Sequence, residues 1–78
     1  MTKALIQKNI KLSLDFDTYV SRNPGVLNSV PKGSNIVITS WKDRKLSEAN
    51  LKIVRSSRSG KFVVAHKAKN RWTIKKAK

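Results

Sequence analysis

The chain has no cysteine. That excludes disulfides and thiolate metal sites, and it suits a reducing compartment. Histidine is almost as scarce, with His66 alone. A zinc site draws several nitrogen, sulfur or carboxylate ligands together, so none is expected here. Acidic residues are limited to Asp15, Asp17, Asp43 and Glu48. A general base needs a nucleophile or carboxylate partner, and so few acids offer His66 none. The expectation is a protein that is not an enzyme, with no cofactor, no metal and no small-molecule substrate. Long apolar runs are also missing. Segments such as Ile36-Val37-Ile38 fall far short of the ~20 residues that span a bilayer. The opening Met1-Thr2-Lys3-Ala4-Leu5-Ile6 is interrupted at once by Gln7, Lys8 and Asn9, unlike a secretory leader. A cytoplasmic location and no membrane partner are expected.

What the sequence has in excess is positive charge. There are 18 Lys+Arg against 4 Asp+Glu in 78 residues, a formal +14. The excess is lopsided. Residues 1–41 carry five basic and two acidic side chains, for +3, whereas residues 42–78 carry thirteen and two, for +11. A small domain with this much self-repulsion is expected to meet a polyanion that relieves it. The length allows one domain with a stability margin of a few kcal/mol.

Periodicity divides the chain into few elements. Residues 5–22 read as an amphipathic helix, with Leu5, Ile6, Ile10, Leu12, Phe16, Tyr19 and Val20 on one broad face. Lys8, Lys11, Asp15, Thr18 and Arg22 take the other face, and Lys11 and Asp15 have i,i+4 spacing. Leu14 lies off the stripe. Asp17 falls near its centre and is expected as a polar group at the edge of the core. Asn23-Pro24-Gly25 ends the helix. Residues 26–30 suggest one helical turn that places Val26, Leu27 and Val30 over the core. After the turn Pro31-Lys32-Gly33-Ser34, residues 35–40 read as a strand, β-branched at Ile36, Val37, Ile38 and Thr39 and buried on both faces.

A second helix follows, with Asp43 as a candidate N-cap and Leu46, Ala49, Asn50, Ile53 and Val54 as its stripe. Glu48 and Lys52 are spaced to pair on its outer face. Residues 56–60 break it at Gly60. Residues 61–66 form the next strand. Residues 71–74 return as a third strand or run on as an extended tail. The fold class is α/β or α+β, a small two-layer domain in the order helix, strand, helix, strand and a further strand. Residues 1–66 make the folded unit, and residues 67–78 a basic hairpin strand or a tail that orders on its partner. The pairing direction of the strands stays open; parallel pairing would make the middle a βαβ unit.

Several stretches together resemble a family of short uncharacterised prokaryotic proteins. They are Lys8-Asn9-Ile10-Lys11-Leu12-Ser13-Leu14-Asp15-Phe16, Asn23-Pro24, Val30-Pro31-Lys32-Gly33, and Leu46-Ser47-Glu48-Ala49-Asn50-Leu51-Lys52. The resemblance runs from residue 8 to about residue 54. It implies a shared fold and carries no function. The family tends to be acidic between first strand and second helix. Here that segment is Trp41-Lys42-Asp43-Arg44-Lys45, a departure that suggests an anionic partner.

The candidate contact residues are Arg44, Lys45, Lys52, Arg55, Arg58, Lys61, Lys67, Lys69, Arg71, Trp72, Lys75, Lys76 and Lys78. Lys and Arg neutralise phosphates, and interleaved Ser56, Ser57 and Ser59 can donate to phosphate oxygens. Trp41 and Trp72 sit inside basic segments, where each either stacks on an unpaired base or covers the core. Arg55-Ser56-Ser57-Arg58-Ser59-Gly60-Lys61 lacks the second glycine and the Ser/Thr of a Walker loop, and reads as a flexible basic loop. Zinc-finger spacing, a zipper and a convincing recognition-motif aromatic set are all missing. Dispersed charge interleaved with aromatics points to structured RNA, such as rRNA in a ribosomal or ribosome-associated setting, with neighbouring ribosomal proteins as further partners. A chromatin-like or regulatory DNA-binding protein and an adaptor for an acidic protein are the alternatives.

Overall fold

The computed structural model describes residues 2–77, and Lys78 of the candidate contact set lies outside them. Helix α1 spans Lys3–Arg22, strand β1 Asn35–Ser40, helix α2 Arg44–Ser56, strand β2 Phe62–Ala68 and strand β3 Arg71–Lys76. A short 3-10 helix, Pro24–Ser29, links α1 to the approach to β1. The sheet order is β1-β2-β3. β1 and β2 run parallel, with Ile38 opposite Ala65, and α2 is the crossover between them. β3 returns antiparallel, with Ala65 opposite Ile74. The third-strand reading of residues 71–74 therefore holds, and the extended tail does not. The two-residue turn Lys69-Asn70 joins the strands, with Lys69 at φ 56°.

Alternate residues of a strand face opposite sides. Here the register puts Ile36, Ile38, Val63, Ala65, Trp72 and Ile74 on one face. α1 covers it. Phe16, Ile38, Ala65 and Trp72 form the buried cluster, with Leu12, Tyr19, Val20 and Ile74 packed around it. The Phe16 and Trp72 rings lie 5.0 Å apart, tilted by 57°. Such an aromatic pair adds about 0.5–1.5 kcal/mol beyond its buried area.

Thr2 caps α1 by accepting from the Leu5 amide, and the Asn23 amide closes its other end on the Tyr19 carbonyl. A helix of 20 residues is about 30 Å long, whereas a strand of six spans about 20 Å. The first turns of α1 reach α2 as well, through Asn9 to Asn50 and Lys8 to Asp43. Ile6 and Ile10, assigned to the core stripe by periodicity, are 47% and 56% exposed because they lie further round the helix than Leu5, Asn9 and Phe16. The inward stripe instead runs through Leu5, Asn9, Leu12, Phe16, Tyr19 and Val20. Asp17, placed near the stripe's centre by the sequence, is exposed. In the 3-10 helix and just beyond it, Val26 and Val30 are half-buried while Leu27 remains exposed.

α2 lies along the free edge of β1 and closes it. Asn50 Nδ2 donates to the Ile38 carbonyl at 2.6 Å and to Asn9 Oδ1 of α1 at 2.7 Å. Ser47 Oγ accepts from the Ser40 amide at 2.9 Å and lies 3.1 Å from the Ser40 carbonyl. These side chains occupy backbone groups that would otherwise template pairing with another chain. They also explain why a polar residue, Asn50, is buried beside Leu46 and Val54. Ile53, expected in the α2 stripe, points to solvent. β1 is buried only in its second half, at Ile38, Thr39 and Ser40, so burial on both faces does not extend to Ile36.

Candidate nucleic-acid interface

The second face of the sheet carries Val37, Thr39, Val64, His66, Thr73 and Lys75. Phe62 also lies on it; Phe62 and Thr39 are buried, Val37, Val64 and His66 half-buried, and Thr73 and Lys75 exposed. The Trp41 amide continues the β1 ladder onto the Lys67 carbonyl at 2.9 Å, so the Trp41 side chain follows Thr39 onto this second face. There Thr39, Trp41, Arg44, Ser47, Leu51, Val64, His66, Thr73 and Lys75 line an open groove of about 520 Å³. Leu51 and Val64 give it an apolar part. Thr39 Oγ1 and His66 Nδ1 are hydrogen-bonded at 2.7 Å within it. Arg44 and Lys75 supply charge. Arg44 Nε lies 3.0 Å from Glu48 Oε1, in a pair so exposed (90% and 62%) that it holds the guanidinium weakly.

A second cavity, about 500 Å³, opens between α1 and the β1–α2 turn. Lys8, Lys11, Lys42 and Lys67 line it with Asp15 and Asp43. Its charges are partly matched. Lys8 Nζ lies 3.0 Å from Asp43 Oδ2, and Lys67 pairs with Asp15. Asp43 is also the N-cap of α2, accepting from the Leu46 amide at 3.1 Å. That backbone bond, and then Lys8, hold the Asp43 carboxyl below its ordinary value of 3.8. The spacing-based pairs Lys11–Asp15 and Glu48–Lys52 are replaced by Lys67–Asp15 and Arg44–Glu48. Tertiary proximity decides the first exchange, since β2 brings Lys67 against α1. The second is another i,i+4 choice on the same helix.

The candidate contact residues do not gather in one place. Arg44 and Lys75 meet in the groove, and Arg71 shares its face of the sheet. Lys45, Lys52 and Arg55 project from α2, and Arg58 and Lys61 from the loop that follows; all are exposed. Lys69 is exposed in the hairpin turn, and Lys76 is exposed on the α1 side of the sheet. Lys67 is half-buried, with its ammonium 5.9 Å from the Trp72 ring centroid. Two serines of the basic loop are already engaged: Ser56 Oγ donates to the Lys52 carbonyl at 2.5 Å, and Ser57 Oγ to the Ile53 carbonyl at 2.8 Å.

One member of the candidate set is corrected. Trp72 is 5% exposed and packed on Phe16, so it is a core residue and cannot stack on a base. The exposed tryptophan is Trp41, at 54%. Sequence reasoning left Trp41 out of the contact set, together with His66, Lys8, Lys11 and Lys42. Strand parity was the signal for Trp41: counting alternation from the core residue Ile38 puts residue 41 on the opposite face. Nothing in the sequence marks Lys8 and Lys11, because only the docking of α1 brings them near Lys42 and Lys67.

A family match covers almost this entire architecture, from α1 to β3, over residues 4–75. The chain belongs to DUF5647, a family of unknown function. No curated protein and no solved structure matches it. The DUF5647 match extends through β2 and β3, which the resemblance over residues 8 to about 54 did not reach. Among the described residues no helix is long and apolar enough to cross a membrane, and no cluster of three His, Asp or Glu side chains could hold a metal ion.

Proposed function

We propose that this protein is a non-enzymatic RNA-binding protein of the cytoplasm, a ribosomal or ribosome-associated component that holds structured RNA by its phosphate backbone. The observation that supports this most is the uncompensated charge. The chain has eighteen Lys+Arg and four acids, and three ion pairs form among the described residues. Most of the remaining basic side chains of the C-terminal half are exposed on α2, the loop after it, and the β2–β3 hairpin. Charge spread over several elements suits contact with phosphates at many angles, as a folded RNA presents them. It suits a single reading helix poorly. α2, the only helix of the basic half among the described residues, carries Glu48 on its outer side.

Binding of this kind is driven by counterion release. If about six phosphates are contacted, log K falls with log salt at a slope of roughly −4 to −5. Titration of a structured RNA at several salt concentrations checks it, and a slope near zero contradicts it. Sedimentation with ribosomes in low and high salt, with and without nuclease, separates the alternatives. Nuclease-sensitive cosedimentation supports the RNA reading. Nuclease-resistant association points to an acidic protein partner, and recovery on DNA instead points to a chromatin-like or regulatory role.

A further inference from the structure

We propose that the groove between the second face of the sheet and α2 holds one unpaired nucleotide of the bound RNA, with its base stacked on Trp41 and its phosphate met by Arg44 and Lys75. The inference rests on the RNA-binding reading and assigns it a specific site. Three observations carry it.

The first is the placement of Trp41. A tryptophan that is 54% exposed in a domain this small contributes little to the core, which Phe16, Ile38, Ala65 and Trp72 fill without it. It lines a groove beside basic side chains. An indole face offers any base a stacking surface worth a measurable part of the binding energy. A base inside a duplex has both faces covered by its neighbours, so the indole is complementary only to an unpaired one.

The second is the shape and lining of the groove. Its volume, about 520 Å³, lies within the roughly 300–1,000 Å³ of small-molecule sites. Leu51 and Val64 provide apolar area for a ring. His66 is held by Thr39 through Nδ1, which leaves Nε2 as a second hydrogen-bonding atom for a base edge. Thr73 brings a hydroxyl from β3.

The third is charge complementarity. Arg44 and Lys75 are the groove's two permanent charges, both positive, and its lining contains no carboxylate. The contrast is with the cavity at α1, where Asp15 and Asp43 already answer Lys67 and Lys8. Glu48 is the nearest competitor, through its exposed bond to Arg44. A bidentate phosphate displaces such a partner readily.

The test compares two RNAs of equal charge, a stem closed by an unpaired loop and a blunt duplex, against the wild-type protein and Trp41→Ala at about 50 mM salt. Thermal melts confirm that the variant is folded. The expected result is that Trp41→Ala weakens loop binding by about 5- to 150-fold and duplex binding by less than about two-fold. Trp41→Phe should restore most of the loss. A measurement on the wild type alone removes dependence on the variant: loop RNA should quench tryptophan emission, and the duplex should not. Equal losses on both RNAs, or no loss on either, overturn the groove while leaving backbone binding intact. Failure of the wild type to bind either RNA overturns the RNA-binding reading and the groove with it.

Discussion

The two tryptophans sit on opposite faces of the same three-stranded sheet and have opposite surroundings. Trp72 lies under α1, packed on Phe16 and 5% exposed. Trp41 lines a groove between the other face and α2, 54% exposed. Both stand in basic segments, and local composition does not separate them. What separates them is register. Trp72 opposes Lys67 and shares its face with Ile74, whereas Trp41 extends β1 one step past Ser40 and turns the other way. The face under α1 buries Ile38, Ala65 and Trp72, whereas the other buries Phe62 and Thr39 and leaves Trp41, Thr73 and Lys75 exposed.

That division can be broken most severely at β3. Removing residues 71–78 takes away an entire strand, and with it Trp72 and Ile74 from the core. The truncated chain should be largely unfolded by circular dichroism, even in low salt. Trp72→Ala alone should cost about 3–5 kcal/mol, comparable to the total margin of a domain this size. Trp41→Ala should change stability by less than about 0.5 kcal/mol in denaturant titration. A similar cost for the two substitutions would mean that the faces are not distinct.

A smaller effect is expected at the edge of the sheet. Asn50→Ala removes the donor to the Ile38 carbonyl and the partner of Asn9. The buried carbonyl then lacks that hydrogen bond, so stability should fall by about 1–3 kcal/mol. Asn50→Leu should not restore it, because the carbonyl still lacks its donor. The same variants should associate more readily, measured by light scattering, since the free edge of β1 loses part of its cover.

The smallest change concerns Asp43. Its carboxyl is held below the ordinary value by the Leu46 amide and Lys8. A depressed carboxylate contributes stability that is fully present above its unfolded value, about 3.9, and is lost as pH falls through the lower folded value. The melting temperature should therefore drop below about pH 4. Asp43→Asn keeps a capping side chain but has no charge to lose, so this part of the acid profile should flatten, with neutral-pH stability lowered slightly towards the acid level.

Much of this fold was legible in the sequence. Ile36-Val37-Ile38-Thr39 marks β1, the Asp43 cap and the buried positions Leu46, Asn50 and Val54 mark α2, and Asn23-Pro24 ends α1. What was not legible depends on tertiary size and placement. The inward face of α1 is narrower than its apolar stripe: Leu5, Asn9, Leu12 and Phe16 take it, and Ile6 and Ile10, further round the helix, face water. Asp15 pairs with Lys67 rather than Lys11 because β2 passes beneath α1, a contact 52 residues apart in sequence. The basic C-terminal half is visible in composition, but composition treats Lys67, held by Asp15, and Lys75, open to the groove, as equivalent. The hairpin of residues 67–76 depends on Trp72 and Ile74 finding a place under α1, and the local sequence reads equally well as a tail.

The claim that the groove beside Trp41 binds and the face under α1 does not is tested most directly by amide chemical shifts of the isotope-labelled protein, followed as a looped RNA is added. The account predicts that Trp41, Arg44, His66, Thr73 and Lys75 shift furthest and together, while Phe16 and Tyr19 of α1 and Ala65 beneath it stay within the range of unperturbed residues. Shifts concentrated on Ile6, Ile10 and Leu14 of α1, or an unchanged spectrum at saturating RNA, would contradict it.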